Sequence, residues 1–301
     1  MARRRPPTVH GLAIIDKPAG VTSHDVVNQM RKILGERRIG HAGTLDPDAT
    51  GVLLVGVGYV TRLMQFLSGM DKTYEAEVVF GVETNTLDSA GQVTARHDTT
   101  GITIEQVRNA ALKLTGDILQ VPPMVSAIRV DGKRLHELAR EGIEIERKPR
   151  PVTVRSFAVQ PTDDPLVVRI SVNVSSGTYV RTLAADLGSL LGGGAHLRNL
   201  KRTSIGDFNI SESHPPQSAV LLAPIAALRS MTQVVVDAST ADMVRHGRVM
   251  QAWQGDAPWA IIDEQGTLLG VYDVFEDKVE NQDQVGLVRA KPTVVLAEAV
   301  A

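Results

Sequence analysis

Apolar stretches in this chain switch between two periods without settling into the strand–helix–strand alternation of a parallel sheet, and this constrains the fold more than any other feature. The run GLAIIDKP reads as a strand stopped by Pro18, and Gly20 marks a turn. Ser23 is placed as the N-cap of a helix. Its apolar residues Val26, Val27, Met30, Ile33 and Leu34 recur at helical spacing before Gly35 stops it. The stretch RRIGHAGTLDPDATG has no apolar period and is dense in Gly, Asp and Pro, so it reads as a loop leading into the buried-type run VLLVGVG. Residues 61–67 and 103–114 have helical spacing, whereas 72–82, 152–159 and 167–174 read as strands. The predicted class is α+β, with a mixed, mainly antiparallel sheet.

A chain of 301 residues is long for one core and favours a larger and a smaller domain. The span SESHPPQSAVLLAP has the most linker-like composition, and the short runs VVVDA, WAIID and GLVRA after it predict a small β-rich module. This sets expected domains of 1–228 and 229–301. The first carries 26 Lys and Arg against 23 Asp and Glu, the second 6 against 11. A net charge of −2 does not announce a nucleic-acid binder, so any electrostatic footprint must be local. Three basic patches stand out: Arg31-Lys32 with Arg37-Arg38, the span 129–155, and Arg198 with Lys201 and Arg202. Any one of them alone is by default a solvated surface.

Several chemistries are excluded or disfavoured. With no Cys there are no disulfides, thiolate zinc sites or cysteine nucleophiles, which suits a reducing cytosol. The start MARRRPPTVHG has basic residues with no apolar segment behind them, and no apolar run approaches membrane-spanning length, so neither secretion nor membrane insertion is expected. No phosphate-loop string occurs, and Gly56-Val-Gly58 lacks the third glycine of a dinucleotide fingerprint. The eight His show no helical metal spacing. No cofactor, nucleotide or metal is expected.

Asp46 and Asp48 flank Pro47 within the Gly-rich stretch. Asp-Pro-Asp is a common turn string, yet a carboxylate held between Gly43 and Gly51 could also act as nucleophile or base on a sugar carbon. His41, in the same loop, is by default polar surface, and Leu200 a core leucine. Aromatics make up only 4% of the chain, so Tyr74 near the start of one strand and Tyr179 in a polar segment are less easily dismissed as filler. In an extended GTYVR segment Tyr179 and Arg181 would face one way. A desolvated Asp needs a cation to stay ionised, and an Arg fork is the usual solution.

The string GHAGTLDPDATG, with DKPAGVTSHD before it, resembles the pseudouridine-55 synthases of bacteria, the TruB-type family. The likeness extends through KTYEAEVVFG, VPPMVSAIRVDGKRLHELAREG, SSGTYVRTLAADLG and LKRTSIGDF, in the family's order and at similar spacing. The resemblance implies an α+β core with an inserted RNA-binding arm at about 122–150, carrying Arg129, Lys133 and Arg134, and a PUA-like C-terminal domain. It implies Asp46 as the catalytic carboxylate, Arg181 as its ionic partner and Tyr74 as the ring that stacks on the target uracil. Tyr179 and Leu200 would complete the uridine pocket, His41 would touch the RNA beside the extruded base, and Lys17-Pro18 would pack under the site. The implied reaction isomerises uridine to pseudouridine in the T stem-loop of tRNA, in the cytoplasm, by a monomer. Two competing readings are a tRNA-binding or tRNA-folding protein without catalysis and a glycoside hydrolase using Asp46 and Asp48.

Overall fold

The computed structural model describes residues 6–126, 129–130, 133–135, 138, 141–275 and 288–296. In chain order the strands of the first part are β1 (Gly11–Lys17), β2 (Ile39–Ala42), β3 (Thr50–Val57), β4 (Lys72–Phe80), β5 (Val82–Thr84), β6 (Val93–Arg96) and β7 (Gly116–Gln120). They continue with β8 (Arg129–Val130), β9 (Lys133–Arg134), β10 (Arg150–Pro161), β11 (Val167–Val174), β12 (Ala195–Ile205) and β13 (Phe208–Asn209). The helices are α1 (Ser23–Leu34), α2 (Met64–Ser68), α3 (Ile104–Lys113), α4 (Val180–Leu190) and α5 (Ala238–Arg245). A second sheet holds β14 (Thr232–Val236), β15 (Met250–Gln251), β16 (Trp259–Asp263), β17 (Leu268–Phe275) and β18 (Arg289–Val295).

The large sheet runs β1-β3-β12-β4-β11-β10-β7, with β2 on β3 and β13 on β12. Every pairing in it is antiparallel except the short β3/β12 join, where Lys201 lies opposite Thr50 and Arg202 opposite Gly51. The expected mixed, mainly antiparallel α+β architecture is the one observed. The uninterrupted apolar run of β3 follows from burial on both faces. Leu53, Val55 and Val57 pack with Val26, Val27 and Met30 of α1, while Val52 and Leu54 pack with Leu63 and Leu67. On another part of the sheet, α3 and α4 cover β4, β10 and β11 with Val107, Ala110, Leu183 and Leu187. Strand β4 alternates strictly, and Lys72, Tyr74, Ala76, Val78 and Phe80 share its buried face.

Several local expectations are corrected. Thr22, not Ser23, is the N-cap of α1. Its hydroxyl accepts from the Asp25 N–H while the Asp25 carboxylate accepts from the Thr22 N–H, a capping box that Ser23 with Val26 three residues on could not form. The stretch expected to be a loop up to Gly51 contains β2, an edge strand paired with β3, so His41 sits on a strand. The linker-like span instead binds β1: the Leu12 and Leu222 backbones exchange two hydrogen bonds, and His214 bonds to Ile14 and Asp16. In the second sheet, α5 was not anticipated. The run GLVRA contributes its last two residues to the start of β18, and its first two lie outside the described residues.

Candidate active site

Asp46 lies on the turn between β2 and β3, and three elements hold that turn from below. The fully buried Lys17 Nζ, at the end of β1, donates to the carbonyls of Pro47 (2.9 Å), Pro18 (2.8 Å) and Val21 (2.7 Å). Three ammonium protons thus meet three acceptors, which compensates much of the cost of burying the amine. Burial still draws the Lys17 pKa down to about 8. The Gly20 N–H also donates to the Pro47 carbonyl, and the Ser23 hydroxyl accepts from the Leu45 N–H at 2.9 Å. Thr22 and Ser23 therefore divide the work: one caps the helix, the other anchors the residue before Asp46.

Arg181 arrives from the opposite side. Its Nε stands 3.1 Å from Asp46 Oδ2, and its Nη2 3.4 Å from Oδ1, a two-pronged ion pair. Nη1 donates to the Thr86 carbonyl (2.9 Å) and lies 3.4 Å from Asp88 Oδ2, while Nη2 also donates to the Val125 carbonyl (2.9 Å). Asp88 is itself fixed by the Thr86 hydroxyl at 2.6 Å and the Ala90 N–H at 3.1 Å. The guanidinium is 4% exposed and so cannot swing away, whereas 44% of the Asp46 side chain remains open, enough for a reactant to reach it. Burial nonetheless pushes the Asp46 pKa above the ordinary carboxylate value. Arg181 opposes this, Asp88 adds to it, and smaller effects come from Lys17 and Asp48.

The other wall comes from β4 and β12. Strand β12 carries one extra residue between Arg198, opposite Glu77, and Lys201, opposite Glu75, and Asn199 there has a positive φ of 55°. Such a bulge re-aims side chains, and Leu200 lines the cavity from it. Arg202, next in register opposite Tyr74, is completely buried. It donates to the carbonyls of Val52 (2.7 Å) and Gly43 (2.7 Å), and Nη1 is 3.5 Å from the Tyr74 hydroxyl. Gly51 has φ +98°, and a Cβ there would stand 2.1 Å from the Arg202 carbonyl, so the close β3/β12 approach requires glycine. Asp46, Tyr74, Tyr179, Arg181, Leu200, Arg202 and Lys72 line one cavity of about 390 Å³.

The sequence model of the family described as "TruB family pseudouridylate synthase (N terminal domain)" matches residues 31–180, and that of the "tRNA pseudouridylate synthase B C-terminal domain" matches residues 181–229. The chain is 42% identical over 273 residues to the tRNA pseudouridine synthase B of Mycobacterium sp. (strain KMS), covering 87% of this chain and 92% of that one. It is 47% identical over 247 residues to that of Symbiobacterium thermophilum, covering 79% and 82%. The chain belongs to the TruB family of pseudouridylate synthases. Its fold is also similar to that of a chain in a crystal structure of a Cbf5-Nop10-Gar1 complex, with a TM-score of 0.69 at 24% identity over 94% of this chain and 84% of that one.

Set against this TruB-type site, the expected residues divide. Asp46, Tyr74, Tyr179, Arg181 and Leu200 are brought together. Tyr179 and Arg181, however, do not share an extended segment: Tyr179 is the N-cap of α4, and Arg181 is its second helical residue. Gln120 fixes that start, accepting from the Tyr179 N–H at 2.8 Å and donating to its carbonyl at 3.1 Å. His41 is not among the cavity-lining residues; its Nδ1 is buried without a hydrogen-bond partner, and burial lowers its pKa. Asp48 is exposed. Arg129, Lys133 and Arg134 lie on the paired β8 and β9, with Arg129 opposite Arg134 in register.

The third basic patch is corrected. Arg202 is interior, and Arg198 is engaged with Glu77 at 2.7 Å, which leaves Lys201 exposed. Sequence reasoning missed Asp88, Gln120, Lys72 and the role of Ser23, and nothing in their local sequence marks them. Among the described residues no group of three or more His, Asp or Glu is placed to hold a metal, and no helix is long and apolar enough to cross a membrane.

Proposed function

We propose that this chain converts a uridine of tRNA, position 55 in the T loop, to pseudouridine, with Asp46 as the catalytic carboxylate and no cofactor. The tRNA substrate is carried over from the names of its relatives. The observation that carries the chemistry is the Asp46–Arg181 pair: a carboxylate in a fixed two-pronged ion pair, still reachable, on the wall of a cavity that also presents Tyr74.

The reaction breaks the bond from C1′ to N1, turns the uracil and joins C5 to C1′. It is redox-neutral and needs no external energy. Asp46 either adds to C1′ or removes the 2′ proton, and both routes need it ionised, which Arg181 favours in a desolvated site. The uridine must leave its stack at a cost of a few kcal/mol, and the Tyr74 ring offers a face on which it can restack. Residues 1–228 would form the catalytic domain and 229–301 a PUA-like RNA-binding domain, in a cytoplasmic monomer. A protein that only binds tRNA has no use for a carboxylate fixed in this way.

The test is pseudouridine formation on unmodified tRNA. Asp46→Asn should cost several orders of magnitude in turnover with little loss of tRNA affinity, while Asp48→Asn should be mild. Asp46→Asn activity within about tenfold of wild type would remove Asp46 from the chemistry.

A further inference from the structure

The cavity holds two cations that the Asp46–Arg181 pair does not account for. Lys72 and Arg202 are 6% and 0% exposed, and both line the cavity beside Tyr74. They converge on Gly43: a Cβ there would lie 3.3 Å from Lys72 Cε and 3.3 Å from Arg202 Nη1. Among the described residues neither stands within ion-pair distance of a carboxylate. Asp71, the acid whose charge Lys72 feels, is engaged by Arg155 at 3.0 Å. Lys72 Nζ donates to the Ser68 carbonyl at 3.1 Å and the Met70 carbonyl at 2.6 Å, leaving one ammonium proton for the cavity. Burying two neighbouring positive charges without counter-charge is costly, and cations held in place in this way can stabilise an anion that develops beside them.

Resting on the proposed reaction, we infer that Lys72, with Arg202 behind it, is a catalytic electrostatic site for the departing uracil. When the C1′–N1 bond breaks, its electron pair stays with the base and spreads over N1, O2 and O4. C1′ is left electron-poor and is satisfied either by a bond to the Asp46 carboxylate or by loss of its neighbour's 2′ proton to Asp46. The negative charge therefore grows on the base, within the cavity that Lys72 and Arg202 line together with Asp46. When C5 later bonds to C1′, Asp46 is released as the carboxylate or returns the 2′ proton to C2′; C5 then gives up its proton, N1 takes one, and the charge on the base disappears. Fixed cations placed where charge appears and vanishes stabilise the transition state more than the substrate. Burial and Arg202 draw the Lys72 pKa down to about 8, so the amine remains mostly protonated at neutral pH.

The experiment compares wild type, Lys72→Gln and Lys72→Arg in single turnover on two RNAs, one with uridine and one with 5-fluorouridine at the target. Fluorine withdraws electrons, so 5-fluorouracil leaves more readily and needs less help. Glycosidic cleavage is read as consumption of the target nucleoside after digestion, and melting curves report folding. Lys72→Gln should lose on the order of 100-fold on uridine, as for loss of one donor to a developing anion, and distinctly less on 5-fluorouridine. Lys72→Arg should recover part of the loss. A purely structural Lys72 would lower both rates equally, and that result, or a Lys72→Gln rate within about threefold of wild type on uridine, would overturn the inference while leaving the proposed function standing. Wild-type protein inert on uridine RNA would overturn both.

Discussion

Arg181 serves two carboxylates, Asp46 and Asp88, and that sharing decides how Asp46 titrates. Desolvation and the Asp88 charge push the Asp46 pKa up, and Arg181 is the main force holding it down. Catalysis by either proposed route needs the ionised form, so the rate should fall as pH drops through the Asp46 pKa, at a higher pH than for an ordinary carboxylate. In Arg181→Lys the charge is kept but the planar fork is lost, and a single ammonium cannot face both Asp46 oxygens and Asp88 together. The opposing pull weakens and the Asp46 pKa rises further. The acid limb of the single-turnover pH profile should therefore move to higher pH in Arg181→Lys. A limb that stays in place, or moves to lower pH, would mean that Arg181 does not set the ionisation of Asp46.

Elements differ in how much of their placement the sequence carries, and the difference has a physical source. The continuous apolar run of β3 and the alternation of β4 are period signals, and both strands lie close to where those signals put them. The Thr22 cap was also readable, because Asp25 stands three residues after Thr22. Arg202 was not: in a charged run it looks like surface, and only the bulges on β12 turn it inward opposite Tyr74. The same bulges bring Leu200 to the cavity, and no alternation rule anticipates an inserted residue. Asp88 and Gln120 act on residues 93 and 59 positions away, a separation at which local patterns carry nothing. The β8–β9 arm belongs to the same scale. If it grips tRNA, replacing Arg129, Lys133 and Arg134 together with Ala should raise KM and flatten the salt dependence of binding, by about 0.9 in log–log slope for each phosphate no longer neutralised. An unchanged slope would place the arm off the RNA.

At the scale of the whole molecule, the two sheets are joined by one apolar cluster rather than merely tethered. Ile14 of β1, Leu63, Leu67 and Phe208 pack with Ala260, Leu268, Val271 and Val294 of the second sheet. Ala227 and Leu228, at the expected domain boundary, sit inside that cluster, fully or almost fully buried. The Arg62 guanidinium also donates to the Val295 carbonyl across the junction. A shared core couples the stability of the parts it joins, because neither can expose its half without losing burial worth about 1.5–3 kcal/mol for each large side chain. The second sheet thus supports β1, which ends in Lys17, and β3, which follows the Asp46 turn. The expected result is one cooperative thermal transition for the full chain, reported alike by far-UV circular dichroism and by loss of pseudouridine-forming activity. Leu268→Ala, distant from the cavity, should cost about 2–5 kcal/mol and lower that single transition by several degrees, carrying the activity loss with it. If instead a second transition separated while the activity midpoint stayed fixed, the sheets would be independent units and the cluster only a contact surface.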